Sequence, residues 1–166
     1  MWEALDRPGV LAILDPKTGT VRRVDLRMNV LNYRWSPDSK ALAAHGQSWD
    51  THRPLLAWIR AADGHGTVLD TIPVFAECDF NWSPSSRYLA AVLPTVAYSD
   101  DDFCDSDLWI YAGAGRERCQ ATDTPGDAED DPRWISERAL VLNVHRCRGK
   151  IPGPDSVRVM EFAPSR

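Results

Sequence analysis

The sequence lacks the marks of several protein classes. Its formal net charge is −5, and no cluster of Lys and Arg is longer than the pair Arg22 and Arg23. Because phosphate backbones are bound by basic stripes, this argues against nucleic-acid binding. No apolar run approaches the roughly 20 residues that cross a bilayer, and residues 1–6 lack the charged start and apolar middle of a signal peptide. We therefore expect neither a membrane span nor an export signal in this chain, and its compartment stays open.

Metal-binding and catalytic motifs are also missing. The four cysteines (Cys78, Cys104, Cys119 and Cys147) show neither C-x-x-C nor paired His spacing, which argues against structural zinc. Four cysteines allow three disulfide pairings, so bridges and reduced thiols both stay open. There is no Gly-x-Ser-x-Gly elbow and no supported Ser, Asp and His order, so we expect a chain that is not an enzyme.

What the sequence does contain is a repeat. Residues 34–44 (RWSPDSKALAA) return as residues 81–91 (NWSPSSRYLAA) and, more loosely, as residues 133–142 (RWISERALVL). In the first two copies, Pro fixes one backbone angle of the turn that follows Trp, and a run of small apolar residues comes next. Each copy therefore predicts a β-hairpin, and helical periodicity is not indicated anywhere in the chain.

A second kind of apolar run alternates with these hairpins, near Leu11, Leu56, Leu108 and Val157. Two hairpins in each period of about 45 residues make four strands per unit, as in a β-propeller blade. We predict an all-β fold, a partial β-propeller of about three four-stranded antiparallel blades, in a single repeat domain of residues 1–166. The approximate units are an outer hairpin at 10–30, blades at 31–72 and 78–122, and an incomplete blade at 130–162.

At these residues the sequence resembles the TolB-like group of WD-type, or WD40-like, propeller repeats. Their inner hairpins carry a Trp-Ser-Pro-Asp-Gly turn. Residues 35–39 differ from it at one position, residues 82–86 at two, and the third copy has lost the proline. The resemblance implies that the repeat positions lie on inner strands near the propeller axis; they are Trp35, Pro37, Trp82, Pro84 and Trp134.

The resemblance also bears on assembly and function. Such repeats serve as binding platforms in periplasmic proteins and as non-catalytic propellers of some serine peptidases, so a cell-envelope context is one expectation. About three and a half blades fall short of the four that a closed ring needs. Three assemblies are therefore open: the chain is a fragment of a larger propeller, one half of a homodimer that completes the ring, or an open arc. Bare blade faces and unpaired strand edges favour the two that involve association.

Acidic residues are concentrated in two loops that the blade order places on one face, the first at 99–107 and the second at 123–131. This pattern is typical of solvated loops that improve solubility, and also of a face that binds a protein or peptide partner by electrostatic attraction; we predict partner binding. Calcium is an alternative ligand, although no EF-hand loop is present. The predicted partner-binding residues are Asp100, Asp101, Asp102, Asp105, Asp107, Asp127, Glu129, Asp130 and Asp131.

The sequence thus predicts a non-enzymatic propeller module that binds a protein or peptide through an acidic loop face. One alternative is an accessory propeller domain severed from a hydrolase or peptidase. Another is a structural domain stabilised by Ca²⁺. We expect no other cofactor, and the identity of the partner stays open.

Overall fold

The structure is a computed structural model that describes residues 11–72, 78–95, 105–148, 151–152 and 156–162. Within these ranges the chain forms strands, turns and one short 3₁₀ turn at Gly113–Gly115. All strand pairs are antiparallel, and the strands form four separate sheets. The prediction of an all-β partial propeller is confirmed.

The first two sheets are a hairpin and a complete blade. The half-blade consists of β1 (Ala12–Leu14) and β2 (Val21–Arg23). Blade 1 consists of β3 (Met28–Trp35), β4 (Ala41–Ser48), β5 (Pro54–Arg60) and β6 (Gly66–Thr71), which pair in chain order.

The other two sheets repeat this plan. Blade 2 consists of β7 (Asp79–Trp82), β8 (Tyr88–Pro94), β9 (Ser106–Ala112) and β10 (Glu117–Gln120). Blade 3 consists of β11 (Asp127–Ser136), β12 (Ala139–Arg148) and β14 (Ser156–Glu161), with the two-residue strand β13 (Ile151–Pro152) also paired to β12. We call the first two strands of each blade its inner hairpin.

Both acidic loops end differently from the sequence prediction. Residues 106 and 107, expected in the first loop, begin β9. Residues 127–131 were expected in a loop, but they form the first half of β11, and the pairing with β12 shifts register between Asp130 and Arg133. Asp131 has a φ of +48° at this bulge, and Pro132 follows it in a buried position. Acidic residues and a proline are poor strand formers, so composition predicted a loop where a bulge lets the strand continue.

Three apolar layers hold the sheets together, and each layer lies between two successive sheets. Alternate residues of each strand face opposite layers, so every complete blade contributes to two of them. Blades 1 and 2, for example, bury Leu56, Phe80 and Tyr111 in the second layer. Ile13, Met28 and Ile59 belong to the first layer, and Leu108, Leu140 and Leu142 belong to the third.

The repeat tryptophans join the inner hairpins to one another. Trp82 Nε1 donates a hydrogen bond to the backbone oxygen of Arg34 at 2.9 Å, and Trp134 Nε1 donates one to the backbone oxygen of Asn81 at 3.1 Å. Each acceptor immediately precedes the repeat tryptophan of the previous blade. We call this series of contacts the indole ladder, and it places the inner hairpins side by side.

Candidate partner-binding face

The turns of the inner hairpins form one face of the arc, which we call the turn face (residues 36–40, 83–87 and 137–138). Asp38 N donates to Ser86 Oγ at 2.9 Å, and both the backbone and the hydroxyl of Ser85 donate to the Glu137 carboxylate. Pro37 and Pro84 occupy the predicted turns. Neighbouring turns are therefore tied together. The candidate for partner binding is the opposite face, because the predicted acidic residues lie there.

Two of these turns strain the backbone. Ser39 and Ser86 have φ values of +60° and +64°, at the position where the resembling repeats carry glycine. Side chains with a Cβ disfavour this left-handed region. The Ser36 hydroxyl donates to Asp38 Oδ1 at 2.7 Å, and this bond is the main cause that lowers the pKa of Asp38. Local side-chain bonds therefore hold the turn in a conformation that serine by itself does not favour.

The loop face lies opposite the turn face and includes connections 49–53 and 121–126 and the first residues of β7 and β11. Arg27 and Asp50 form an ion pair there at 3.3 Å. Of the nine acidic residues predicted for partner binding, the structure describes six. Asp100, Asp101 and Asp102 lie outside the described residues. The six divide into two that are buried and four that are partly exposed.

Asp107 is one of the two buried acidic residues. Its carboxylate accepts hydrogen bonds from Gln120 Nε2 at 2.8 Å and from the backbone N–H of Thr124 at 3.1 Å. Burial raises the pKa of Asp107, and the Thr124 bond opposes that rise. Asp107 therefore anchors the connection that leaves β10, and only a small part of it reaches the surface.

Glu129 is the other buried acidic residue, and its side chain has 0% exposure. Its carboxylate accepts hydrogen bonds from the backbone N–H of Leu108 at 3.0 Å, from Thr122 Oγ1 at 2.6 Å and from an Arg158 Nη at 2.8 Å. Burial raises the pKa of Glu129, and the bonds from Thr122 and Arg158 oppose the rise. Glu129 thus joins blade 3 to blade 2, and with no exposed surface it is not placed to touch a partner directly.

The four partly exposed residues, Asp105, Asp127, Asp130 and Asp131, form what we call the acidic rim. Asp130 accepts a hydrogen bond from Asn143 Nδ2 at 2.8 Å and lies 2.6 Å from His145 Nε2. Asp127 lies 3.7 Å from a guanidinium nitrogen of Arg158. These contacts fix the side chains of Asp130 and Asp127, and part of each carboxylate stays open to solvent.

The structure adds Asp79, which sequence reasoning did not include. The backbone N–H of Asp131 donates to Asp79 Oδ2 at 3.2 Å, so the bulge of β11 meets the first residue of β7. Both lie three positions before a repeat tryptophan. Alignment of the repeat copies would have found this pairing, because equivalent positions of neighbouring blades lie side by side.

The structure also bears on the expectations about metal ligands, cysteines and membrane spans. Within the described ranges no group of three or more His, Cys, Asp or Glu residues is arranged to hold a metal ion. Cys78 and Cys119 are free thiols, and burial raises the pKa of Cys78. In the part of the chain that the structure describes, no helix is long and apolar enough to cross a membrane.

Comparisons with known proteins give matches among solved structures alone. No family model matches the chain, and a search of the curated proteins also gives no match. The chain resembles part of the tricorn protease, with a TM-score of 0.67 and 21% identity over 81% of this chain and 13% of that one.

Two Pyrococcus structures are also similar. The β-propeller domain of the Trilobed protease from Pyrococcus furiosus, described as having an open velcro topology, gives a TM-score of 0.62 and 16% identity over 93% of this chain and 47% of that one. The acylaminoacyl peptidase of Pyrococcus horikoshii gives 0.59 and 15% over 93% and 27%. At such identities the likeness shows the fold alone, and the chain spans less than half of each of these structures. The fold is that of a β-propeller segment.

Proposed function

We propose that this chain is a segment of a non-enzymatic β-propeller that binds a cationic protein or peptide through its loop face. The observation that carries the proposal is the arrangement of Asp79, the first residue of β7, beside Asp130 and Asp131 at the bulge of β11. Asp131 pairs with Arg133 and Asp130 with His145, but their side chains are still 34% and 40% exposed, so both can meet a ligand. Fixed carboxylates attract a cationic ligand at little cost in side-chain ordering.

The resemblance of the repeat motif to TolB-like, WD40-like propeller repeats supports the same proposal. The inner hairpins of blades 1 and 2 carry Trp-Ser-Pro turns, and repeats with such turns act as binding platforms. Propellers commonly present ligand-binding loops at one face of a rigid scaffold. The scaffold here is the set of inner hairpins joined by the indole ladder.

A titration with a fluorescent arginine-rich peptide tests the proposal. We expect the double substitution Asp130→Asn and Asp131→Asn to weaken binding about tenfold, and added salt to weaken binding to the unsubstituted chain. The matched control is Glu117→Gln with Glu161→Gln, which changes the same charge at exposed positions of other strands. Equal loss of affinity in both variants would show that only the overall charge matters, and the loop-face assignment would fail.

A second candidate function is the accessory propeller of a peptidase. It is favoured because the three solved structures described above belong to proteases, of which this chain resembles only a part. An antibody against this chain would then detect a longer polypeptide in native extracts, and a fluorophosphonate probe would label that polypeptide. Detection of an unlabelled band at the length of this chain would favour the free-standing binding module.

The third candidate is stabilisation by Ca²⁺. It predicts that millimolar Ca²⁺ raises the melting temperature, because a ligand that binds only the folded state stabilises it. Equal melting temperatures in Ca²⁺ and in a chelator would contradict stabilisation by Ca²⁺. They would leave peptide binding to the loop face unaffected.

A further inference from the structure

The indole ladder is incomplete at the half-blade. Trp82 is 5% exposed, whereas Trp35 is 44% exposed and Tyr33, on the same side of β3, is 55% exposed. Trp35 faces the half-blade, as its cross-strand neighbour Leu42 does. Within the described residues, however, the half-blade has no inner strand, so no carbonyl occupies the position at which the Trp35 indole points by repeat symmetry.

A groove lies at this position. It has a volume of about 720 Å³ and is open to solvent. It is lined by residues of the half-blade, of the end of β3 and the turn that follows it, and of the end of β5, including Ile13, Leu14 and Trp35. Leu14 is itself strongly exposed. The groove therefore presents apolar side chains that have no covering strand among the described residues.

The edge of β1 adds backbone groups to this surface. The register of sheet pairing gives β1 a single partner, β2. In blades 1 and 2 the corresponding strands, β5 and β9, are paired on both sides. The second edge of β1 is thus unpaired within the described ranges, and an unpaired strand edge is a template for an added strand.

We propose that the groove and the edge of β1 receive an inner β-hairpin of the same repeat type. Its second strand pairs with β1, and its first strand offers a backbone carbonyl to Trp35 Nε1. The contact between blades 1 and 2 shows what the occupant should look like. There, Ala41 and Ala43 of the inner hairpin of blade 1 lie in the layer that buries Trp82 of blade 2. The incoming hairpin should accordingly carry small apolar residues on the side that meets Trp35.

A second folded copy does not fit this description. The incoming hairpin needs a second strand with an unpaired edge for β1. In this chain the second strands of all three inner hairpins are already paired on both sides: β4 with β5, β8 with β9, and β12 with β14. The occupant is therefore a further repeat hairpin from outside the described residues.

A fusion tests the proposal on the full chain. A copy of residues 28–48 is attached before Met1, so that residues 1–11 connect it to β1. This connection has the same length as residues 95–105, which join β8 to β9. The control fusion carries the same residues in scrambled order. The signal of the Trp35 indole N–H is the one that is absent from the Trp35→Phe variant.

We expect the native-order fusion to slow hydrogen exchange at the Trp35 indole at least about tenfold and to raise the melting temperature by about 5 °C over the scrambled fusion. Equal exchange and equal melting in the two fusions would overturn the proposal. Protection of Trp35 in a dimer of the unfused chain would also overturn it, because a second copy would then fill the groove. Neither result depends on peptide binding at the loop face.

Discussion

Replacement of Trp82 by Phe is the sharpest test of the indole ladder. Trp82 is buried, donates to the Arg34 carbonyl, and packs edge-to-face on Trp58 with the ring centroids 4.4 Å apart. The lost hydrogen bond costs about 1 kcal/mol. A weakened aromatic pair adds about 0.5 kcal/mol, and the smaller apolar area adds about 1 kcal/mol. The total is about 2–3 kcal/mol.

Trp35→Phe is the matched control, because it makes the same chemical change at the same repeat position. Its indole is exposed and has no ladder acceptor among the described residues, so we expect a loss within about 0.5 kcal/mol. Urea unfolding measures the free energy of unfolding of both variants. In thermal unfolding, we expect Trp82→Phe to lower the melting temperature by about 5–10 °C and Trp35→Phe to leave it nearly unchanged. Equal losses in the two variants would refute the ladder as the source of stability between blades.

The remaining predictions concern a strained turn and a buried acid. We expect Ser39→Gly to raise the free energy of unfolding by about 0.5–1 kcal/mol, because glycine adopts the positive φ freely. Ser86→Gly should gain less, since it also removes the acceptor of the Asp38 N–H; equal gains in urea unfolding would contradict this. Because burial raises the folded-state pKa of Glu129 above its usual 4.5, the stability contributed by its protonated form is complete below that pH and is lost as the pH rises through the folded pKa. We therefore expect the stability of the unsubstituted chain to fall relative to that of Glu129→Gln as the pH rises from about 4.5 to 7, and parallel pH profiles would contradict the assignment.

The blade order follows from local features of the sequence. A tryptophan, a proline turn and a run of small apolar residues define the inner hairpins of blades 1 and 2 over about ten residues, and turn chemistry acts over just such distances. Trp35 and Trp82 therefore mark equivalent strands before any tertiary contact is known. The distance between them has room for two hairpins, and this gives four strands per blade.

The candidate site was harder to predict because its determinants are distant in sequence. The buried Glu129 carboxylate is held by hydrogen bonds from Arg158 on the last strand, from Thr122 after β10, and from the backbone of Leu108 in blade 2. No local pattern distinguishes it from the neighbouring Asp130, which is partly exposed. A run of acids thus predicts a polar face, whereas long-range partners decide which of the acids reach the solvent.

The outer face of blade 3 exposes apolar side chains among the described residues. Val157 and Val159 are 66% and 58% exposed on this face, whereas Met160 on the same strand packs into the third layer. Terminal units of repeat proteins usually carry a polar outer surface, because they have no further neighbour to cover them. We therefore expect the double substitution Val157→Lys and Val159→Lys to reduce self-association in sedimentation while the melting temperature stays within about 1 °C, since no buried contact is lost. A fall in melting temperature of several degrees would show that these valines already pack against structure, and the outer face of blade 3 would then be covered rather than bare.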